Sequence, residues 1–422
     1  MFIFYDLIFL LFSCIYIPVY LARKKFHRGF CRRLGILPGG LKLNRPIWVH
    51  AVSVGEVMAV RELLEELRKA YPQKKLVIST VTATGNKIAR EIARDSDFVT
   101  YLPLDFGFFV KNVMDRINPS LFIIAETEIW PNLIRYLYRK KVPVITVNGR
   151  ISDASFKGYL TIRFLLKPIL KKVSLFCVQA ERDAQRLTRL GVPQDKIKIT
   201  GNMKFDFKGH ADLKKDYSSY REKIGLEQGE KLMIAASTHR GEEEVALEVY
   251  RELLKEFTQL KLLLAPRHPE RAKEVAGIVS KFGFRSVFLS SAAPKCSVCV
   301  TSPVFILDTV GQLVSFYALA DVIFVGGSLV KKGGHNILEP AALGKAVLFG
   351  PHMYNFRDIA NLFLDNEAAL LIHNQEEFKT NVNNLLNRPS YLAGLGQRAR
   401  ELILKNQGAS KRNAEYLKAF IT

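Results

Sequence analysis

The fold is predicted from one stretch of the sequence, Asp321-Val-Ile-Phe-Val-Gly-Gly-Ser-Leu-Val-Lys-Lys-Gly-Gly-His-Asn-Ile-Leu-Glu-Pro340. Its first five residues form an apolar run typical of a buried strand, and a glycine-rich loop follows. After this loop, 341–344 predicts a short helix closed by glycine, and 346–349 predicts a second buried strand. The pattern therefore predicts a strand–helix–strand unit with an enlarged loop.

Two interpretations of the glycine-rich loop are open. Glycines let the backbone approach a ligand closely, and a helix N-terminus presents free N–H groups to an anion. Lys331 and Lys332 add positive charge, and Glu339 offers a carboxylate that could accept hydrogen bonds from a sugar diol. The alternative is a long surface loop of a Rossmann-like domain, because an isolated glycine-rich loop is a weak signal.

The same alternation of strands and helices runs through the chain from Ile47. A helix at 57–70, for example, has its apolar residues at helical spacing. Such alternation predicts mostly parallel sheets covered by helices on both faces. The strand candidates are 47–52, 76–81, 98–102, 121–126, 143–147, 175–179 and 197–201 in the first half, and 232–236, 261–265, 284–289, 304–307, 321–325, 346–349 and 369–372 in the second.

We predict four parts from this pattern. Residues 1–22 are a membrane anchor, 23–205 form a first Rossmann-like domain, and 206–230 are a polar linker together with a first helix of the second domain. Residues 231–422 form a second Rossmann-like domain, to which the helices at 376–422 are assigned. Two such domains facing one another would create a cleft, and ligands of these sheets bind at the carboxyl ends of the strands.

The charge balance indicates an anionic partner. The net charge of the 422-residue chain is +22, and the sequence pI is about 9.7. Because no helix-turn-helix, zinc-finger spacing or RNA-binding aromatic signature is present, nucleic acid is not expected and an anionic membrane surface is favoured.

Residues 2–22 are almost wholly apolar, long enough to span a bilayer, and followed directly by basic residues beginning at Arg23. This order predicts a single anchor with the body of the protein on the cytoplasmic side of the inner membrane. The alternative is an interfacial helix lying on the membrane.

Three segments of the first half carry candidate catalytic groups. Glu56, in His50-Ala-Val-Ser-Val-Gly-Glu56, could act as a general base, and a helix N-terminus would favour its ionised form. The Ser53-x-x-Glu56 spacing equally fits a capping box. Glu126 and Glu128 end an apolar strand, and the alternative for them is a turn with solvated charges. Lys204 either faces the cleft or is an ordinary linker lysine.

In the second half, Ser237–Glu243, Ala265–Arg271 and the glycine-rich loop each follow a predicted strand, so they can meet at one sheet edge. Arg267 could pair with a phosphate through two hydrogen bonds, and His268 could add a donor. A structural role is the alternative for His268. No metal-binding motif accompanies these segments. Cys296-Ser-Val-Cys299 has suitable spacing but no second pair, and two small apolar residues near a strand are the preferred interpretation.

Taken together, His50–Glu56, Glu126–Asn132, Asn202–Asp206, Ala265–Arg271 and Gly326–Pro340 resemble the bacterial transferases of 3-deoxy-D-manno-octulosonic acid (Kdo). The resemblance implies the GT-B glycosyltransferase fold. It also implies inverting transfer of Kdo from CMP-Kdo to lipid IVA, the lipid A precursor, in lipopolysaccharide biosynthesis. Neither a cofactor nor a metal ion is expected.

The resemblance also implies site residues. Glu56 is expected to be the catalytic base, and Glu126 and Lys204 to stabilise the transition state. The segments expected to bind CMP are Pro266–His268, Val310–Gln312 and Asn336–Glu339, that is, Pro266, Arg267, His268, Val310, Gly311, Gln312, Asn336, Ile337, Leu338 and Glu339. The alternative function is a different membrane-associated GT-B enzyme that uses a UDP-sugar.

Overall fold

Each half of the chain builds its own parallel sheet. The computed structural model describes residues 29–206, 217–291 and 303–421. Unit 1 comprises Met1–Phe207 and Asn406–Thr422, and unit 2 comprises Lys208–Lys405. The predicted anchor at 2–22 and the Cys296–Cys299 pair lie outside the described residues. Of the helices that are described, none is both long and apolar enough to cross a bilayer.

The sheet of unit 1 has the strand order β3-β2-β1-β4-β5-β6-β7, and its neighbouring strands are parallel. This order places the switch in winding direction between β1 and β4, where α/β sheets bind ligands. The strands are β1 Ile47–His50, β2 Leu76–Thr80, β3 Phe98–Tyr101, β4 Leu121–Ala125, β5 Val144–Gly149, β6 Leu175–Val178 and β7 Ile197–Ile199.

Helices cover both faces of this sheet. Successive residues of a strand point to opposite faces, and in the buried strands the residues that point to either face are apolar. Trp48 and Phe122 belong to the core on one face, whereas Ile47 and Val49 belong to the core on the other. The helices of this unit are α1 Phe30–Arg33, α2 Val54–Ala70, α3 Ala83–Ile92, α4 Gly107–Ile117, α5 Pro131–Arg139, α6 Asp153–Thr161, α7 Arg163–Leu170, α8 Glu181–Leu190 and, after the second unit, α17 Ala409–Leu417.

Unit 2 repeats the architecture. Its strand order is β10-β11-β9-β8-β12-β13-β14, and the switch in winding lies between β8 and β12. The strands are β8 Lys231–Thr238, β9 Leu260–Pro266, β10 Ser286–Phe288, β11 Val304–Ile306, β12 Val322–Val325, β13 Ala346–Phe349 and β14 Leu370–Leu371. The helices are α9 Ser218–Lys223, α10 Glu242–Leu253, α11 Ala272–Lys281, α12 Leu313–Tyr317, α13 Leu338–Ala342, α14 Arg357–Asp365, α15 Gln375–Asn387 and α16 Pro389–Asn406.

The predicted alternation is confirmed, since a strand lies at each predicted position. One domain assignment was wrong. Helix α17 belongs to unit 1 rather than to the second domain, because Ala409, Ala414 and Leu417 complete the apolar core on one face of the first sheet. Helix α9, within 206–230, was predicted to be the first helix of the second domain, and it belongs to unit 2.

Candidate active site

Glu56 lies in the first turn of α2, directly after β1, and is half-buried. Its Oε2 accepts a hydrogen bond from the backbone N–H of Val52 at 2.7 Å. Its Oε1 accepts one from the Ser53 hydroxyl at 3.0 Å. In a capping box, Ser53 would accept from the helix backbone and Glu56 would bind the N–H of Ser53 itself. The observed bonds differ from that arrangement, so capping alone does not explain Glu56.

The pKa of Glu56 is raised to about 7. Burial is the main cause, and the negative charges of Glu126 and Glu128 raise the pKa further, while the bonds from Val52 and Ser53 oppose the shift. The helix N-terminus was expected to favour the ionised form of this carboxyl, but burial shifts its pKa in the opposite direction. A carboxyl with a pKa near 7 can both accept and release a proton at neutral pH.

Glu126 and Lys204 form an ion pair beside Glu56. Glu126 follows β4 with a left-handed backbone (φ 58°), and its N–H is fixed by the carbonyl of Val147 at 2.9 Å. The Nζ atom of Lys204 lies 3.3 Å from Glu126 Oε1. Burial also raises the pKa of Glu128. These contacts argue against a solvated turn for the two acids and against an unengaged linker lysine.

Buried polar groups hold the two loops that carry this pair. The Asp105 carboxylate accepts hydrogen bonds from the N–H groups of Asn132 and Leu133, at 3.1 and 2.9 Å, and so caps α5 behind Glu126. Asn148, at the end of β5, accepts from the N–H of Met203 at 2.9 Å, one residue before Lys204. All three bonds fix backbone rather than side chains, and therefore restrict where Glu126 and Lys204 can point.

Helix α17 supports the same segment from the other end of the chain. Asp206, in the turn Met203–Asp206, accepts from the N–H of Gly408 at 2.6 Å and from that of Ser410. Arg412 Nε donates to the carbonyl of Thr200 at 2.8 Å, and Asn413 donates to the Thr200 hydroxyl at 3.0 Å. Lys204 is thus carried on a segment clamped at both ends.

His50, which begins the first motif, is buried at the end of β1. Its Nδ1 lies 2.9 Å from the Ser79 hydroxyl and 3.1 Å from the Ser79 carbonyl. Burial lowers its pKa to about 3, so the ring is neutral at physiological pH. We interpret it as a support for the strand ends rather than as a proton carrier.

In unit 2, the first amides of the glycine-rich loop are occupied by a carboxylate of the protein itself. The fully buried Glu242, at the start of α10, accepts from the N–H groups of Gly327, Ser328 and Leu329 at 2.7, 3.0 and 3.0 Å. It also accepts from the N–H of His239 at 2.9 Å. These three backbone amides are therefore satisfied by Glu242 and are not available to a phosphate.

The predicted CMP residues lie in three loops at the carboxyl ends of the strands. Pro266 ends β9 and is buried, whereas Arg267 and His268 are exposed immediately after it. The backbone N–H of Arg267 is bound by the Thr238 carbonyl at 3.0 Å, which joins the loops after β8 and β9. The side chains of Arg267 and His268 are therefore accessible to a ligand.

The other two predicted CMP segments, Val310–Gln312 and Asn336–Glu339, differ in which groups are accessible to a ligand. Val310 is 86% exposed and Gly311 has a left-handed backbone, while the buried Oε1 of Gln312 has no hydrogen-bond partner among the described residues. Glu339 accepts a hydrogen bond from Asn336 at 3.1 Å, and burial raises its pKa. The side chains of Ile337 and Leu338 lie in the core, so only their backbone could contact a ligand.

Sequence reasoning missed two features of unit 2. Glu242 was quoted within a candidate loop but was not recognised as the residue that fills the glycine amides. The loops that carry His239 and His335 were expected to meet at one sheet edge, but the contact between these two side chains, whose Nε2 atoms are 2.9 Å apart, was not predicted. Two histidines in loops after neighbouring strands were the available signal.

No cluster of three or more His, Cys, Asp or Glu side chains suited to a metal ion occurs within 29–206, 217–291 and 303–421.

Comparison with known proteins agrees with this architecture. Residues 28–207 match the family described as 3-Deoxy-D-manno-octulosonic-acid transferase (kdotransferase). The 3-deoxy-D-manno-octulosonic acid transferase of Haemophilus influenzae is 36% identical over 376 residues, which cover 89% of this chain and 87% of the relative.

Two solved structures show the fold. A glycosyltransferase from Rickettsia africae is 16% identical and has a TM-score of 0.56, with 90% of this chain and 99% of that chain covered. The UDP-GlcNAc 2-epimerase of Neisseria meningitidis is 15% identical and has a TM-score of 0.61, with coverage of 89% and 100%.

Two doubly wound units with this likeness show the GT-B fold class. Within that class, the chain belongs to the Kdo transferase family, because the identity to the relative from H. influenzae extends over most of both chains. The resemblance seen in the sequence motifs is thereby confirmed.

Proposed function

We propose that this protein transfers Kdo from CMP-Kdo to lipid IVA, the lipid A precursor, in lipopolysaccharide biosynthesis. Family membership supports Kdo as the transferred sugar. The observation that carries the catalytic part of the proposal is Glu56, a half-buried carboxyl with a pKa of about 7 beside the Glu126–Lys204 ion pair.

Glu56 would act as the general base of an inverting substitution. The acceptor hydroxyl gives its proton to Glu56 while its oxygen forms a bond to the anomeric carbon of Kdo. The bond from that carbon to the phosphate oxygen breaks, and its electron pair leaves with CMP. A base with a pKa near the working pH is suited to this step.

Glu126 and Lys204 would stabilise charge in the transition state. The carboxylate can interact with the positive charge that develops at the anomeric carbon, and the ammonium can interact with the negative charge that develops on oxygen. Because their loops are fixed by Asp105, Asn148 and Asp206, the pair needs little rearrangement during the reaction.

Unit 1 would bind the acceptor, and unit 2 would bind CMP-Kdo. The accessible side chains of Arg267 and His268 suit the phosphate, and Glu339 suits the ribose hydroxyls. In this proposal arginine and histidine meet the phosphate charge, and the reaction uses no metal ion.

The reaction would occur at the cytoplasmic face of the inner membrane. The apolar run at 2–22 would anchor the chain, and the net charge of +22 would favour an anionic surface and a phosphorylated lipid acceptor. An anchor raises the local concentration of the enzyme at its lipid substrate.

A donor screen tests this proposal. The full-length protein is incubated with lipid IVA and either CMP-Kdo or a set of UDP-sugars. Release of CMP with a product mass increased by one or more Kdo residues is expected. Release of UDP alone would disprove the donor assignment.

The base is tested with Glu56→Gln and a matched control, Glu66→Gln, on the exposed side of the same helix. Glu56→Gln is expected to reduce kcat by about 100-fold or more while CMP affinity is kept, because general-base catalysis is lost and the nucleotide contacts are not. The control should retain wild-type turnover. Near-normal turnover of a folded Glu56→Gln protein would disprove the role of Glu56.

A further inference from the structure

Three histidines from three loops meet at the carboxyl end of the unit 2 sheet. His239 follows β8, His268 follows β9, and His335 lies in the glycine-rich loop after β12. The rings of His239 and His335 are nearly parallel and meet edge to edge, with centroids 5.2 Å apart, 12° between their planes, and their Nε2 atoms 2.9 Å apart. The ring of His268 packs edge-on against His239, at a centroid distance of 6.0 Å.

The histidine pair sits at the position in the sheet where a ligand is expected. Strands β8 and β12 are neighbours, and the chain winds away from them in opposite directions. The crevice beyond the carboxyl ends of two such strands is the usual ligand position of an open α/β sheet. His239 and His335 are half-buried and His268 is exposed, so solvent reaches the cluster.

The surroundings of the cluster are positively charged. Burial and the positive charges of His268, Lys332, Arg271 and Arg267 lower the pKa of His239. Burial and the charge of Arg267 are the main causes that lower the pKa of His335 to about 4. The nearby acids are already engaged, since Glu242 binds four backbone amides and Glu270 lies 3.7 Å from His268. This excess of positive charge favours an anionic ligand.

A cation is disfavoured at the same place. Arg267 and Lys332 add positive charge, whereas that of Arg271 is balanced by ion pairs with Glu243 and Glu274. No described group of three His, Cys, Asp or Glu side chains has a geometry that could hold a metal ion. The glycine-loop amides next to Glu242 are also closed to a second anion. The three imidazoles, with the exposed side chains of Arg267 and Lys332 nearby, are therefore accessible donors at this edge of the sheet.

We propose that His239 and His335, together with His268, bind the phosphate of the nucleotide sugar and stabilise it as it leaves. The inference rests on the proposed function and adds residues that the sequence motifs did not assign to the CMP site. A contact between two Nε2 atoms requires one ring to donate and the other to accept, so the accepting ring carries its proton on Nδ1 and can donate there to a phosphate oxygen.

The charge change of the reaction fits this location. When the bond between the anomeric carbon and the phosphate oxygen breaks, the electron pair stays on that oxygen, and the phosphate gains one negative charge. Histidine, arginine and lysine donors held in place before the reaction would stabilise this charge without rearranging.

The test compares CMP with cytidine, which lacks the phosphate, by isothermal titration calorimetry on the full-length protein. The variants are His239→Gln and His335→Gln, and the control is His373→Gln, an exposed histidine that follows the edge strand β14 and contacts Glu377. CMP affinity is expected to fall by about tenfold or more in both variants, because hydrogen bonds to a charged group are lost. Cytidine affinity should stay within about twofold, which also shows that the variants are folded.

Each other outcome overturns a defined part of the inference. Unchanged CMP affinity would show that the cluster does not bind the phosphate. The carboxylate of the sugar would then be the anionic group left for the cluster to bind, contrary to our assignment. An equal loss of CMP and cytidine affinity would show a merely structural role. Failure of the wild-type protein to bind CMP would overturn the proposed function itself, and the assignment with it.

Discussion

The ammonium group of Lys204 lies 3.3 Å from the carboxylate of Glu126, and this pair connects the last strand of the first sheet with its centre. The two side chains are only 21% and 26% exposed, so water and salt screen their charges incompletely. Glu126 also raises the pKa of Glu56. The proposed base and the proposed stabilising cation are thus coupled through one carboxylate.

The first prediction concerns the pH dependence of catalysis. A general base must be deprotonated, so kcat/KM should rise with pH and level off above the pKa of Glu56, about 7. Glu126→Gln removes one of the negative charges that raise this pKa, and the rising limb should therefore move to lower pH. Initial rates across the pH range, measured on the wild type and on Glu126→Gln, check both statements.

Glu66→Gln, on the exposed face of α2, is the control and should leave the midpoint unchanged. A midpoint that stays in place in Glu126→Gln, or moves to higher pH, would contradict the coupling between the two carboxyls.

A second prediction concerns stability at the same residue. The pKa of Glu56 is higher in the folded protein than its ordinary value of 4.5. Its contribution to stability is therefore complete below about pH 4.5, and is lost as pH rises through about 7. The neutral Glu56→Gln side chain avoids this loss. At pH 8 the unfolding temperature of the Glu56→Gln protein, measured by differential scanning calorimetry, should equal or exceed that of the wild type. A clear decrease would contradict the burial argument.

The strands could be predicted from sequence because a buried parallel strand consists of a continuous run of apolar residues. Asp321–Val325 and Leu121–Ala125 are examples in which four or five buried residues leave little ambiguity. The position of α17 could not be predicted in this way. Its apolar residues require a partner face, but local periodicity does not say which of two similar sheets supplies it.

The candidate sites show the same division. Glu56, Glu126 and Lys204 stood out as charged residues at the ends of apolar strands, and the structure brings them together. The contact between His239 and His335 depends on β8 and β12 being neighbours, although several elements separate them along the chain. Likewise, Glu242, Glu243 and Glu244 are adjacent acids, and only packing decides that Glu242 binds the glycine loop.

A third prediction tests the support of Lys204 by the C-terminal helix. Asp206→Asn weakens the cap that holds Gly408 and Ser410 and removes a negative charge from the start of α17. A cost of about 1 kcal/mol in unfolding free energy is expected. Because Lys204 is two residues away, kcat should fall by about tenfold with little change in the KM for CMP-Kdo.

Glu415→Gln, an exposed residue of the same helix, is the control for Asp206→Asn and should match the wild type in both measurements. Reduced stability with undiminished kcat would show that α17 supports the fold but not the position of Lys204.

The last prediction concerns Glu242, whose carboxylate accepts four backbone hydrogen bonds within a fully buried site. Glu242→Gln keeps the shape but turns one acceptor oxygen into an N–H₂ donor, which must face backbone N–H groups. Loss of these bonds without replacement should cost about 3 kcal/mol or more. For a unit of this size, that corresponds to a decrease of roughly 6 to 12 °C in unfolding temperature.

The matched control is Glu244→Gln, in the same helical turn. It alters a single exposed contact, to the N–H of Gly241, and should change the unfolding temperature by no more than about 2 °C. CMP affinity should also fall in Glu242→Gln alone, because the loop that carries His335 and Glu339 loses its fixed point. Equal unfolding temperatures for the two variants would show that the amides of the glycine-rich loop do not depend on the carboxylate, and would reopen that loop as an anion site.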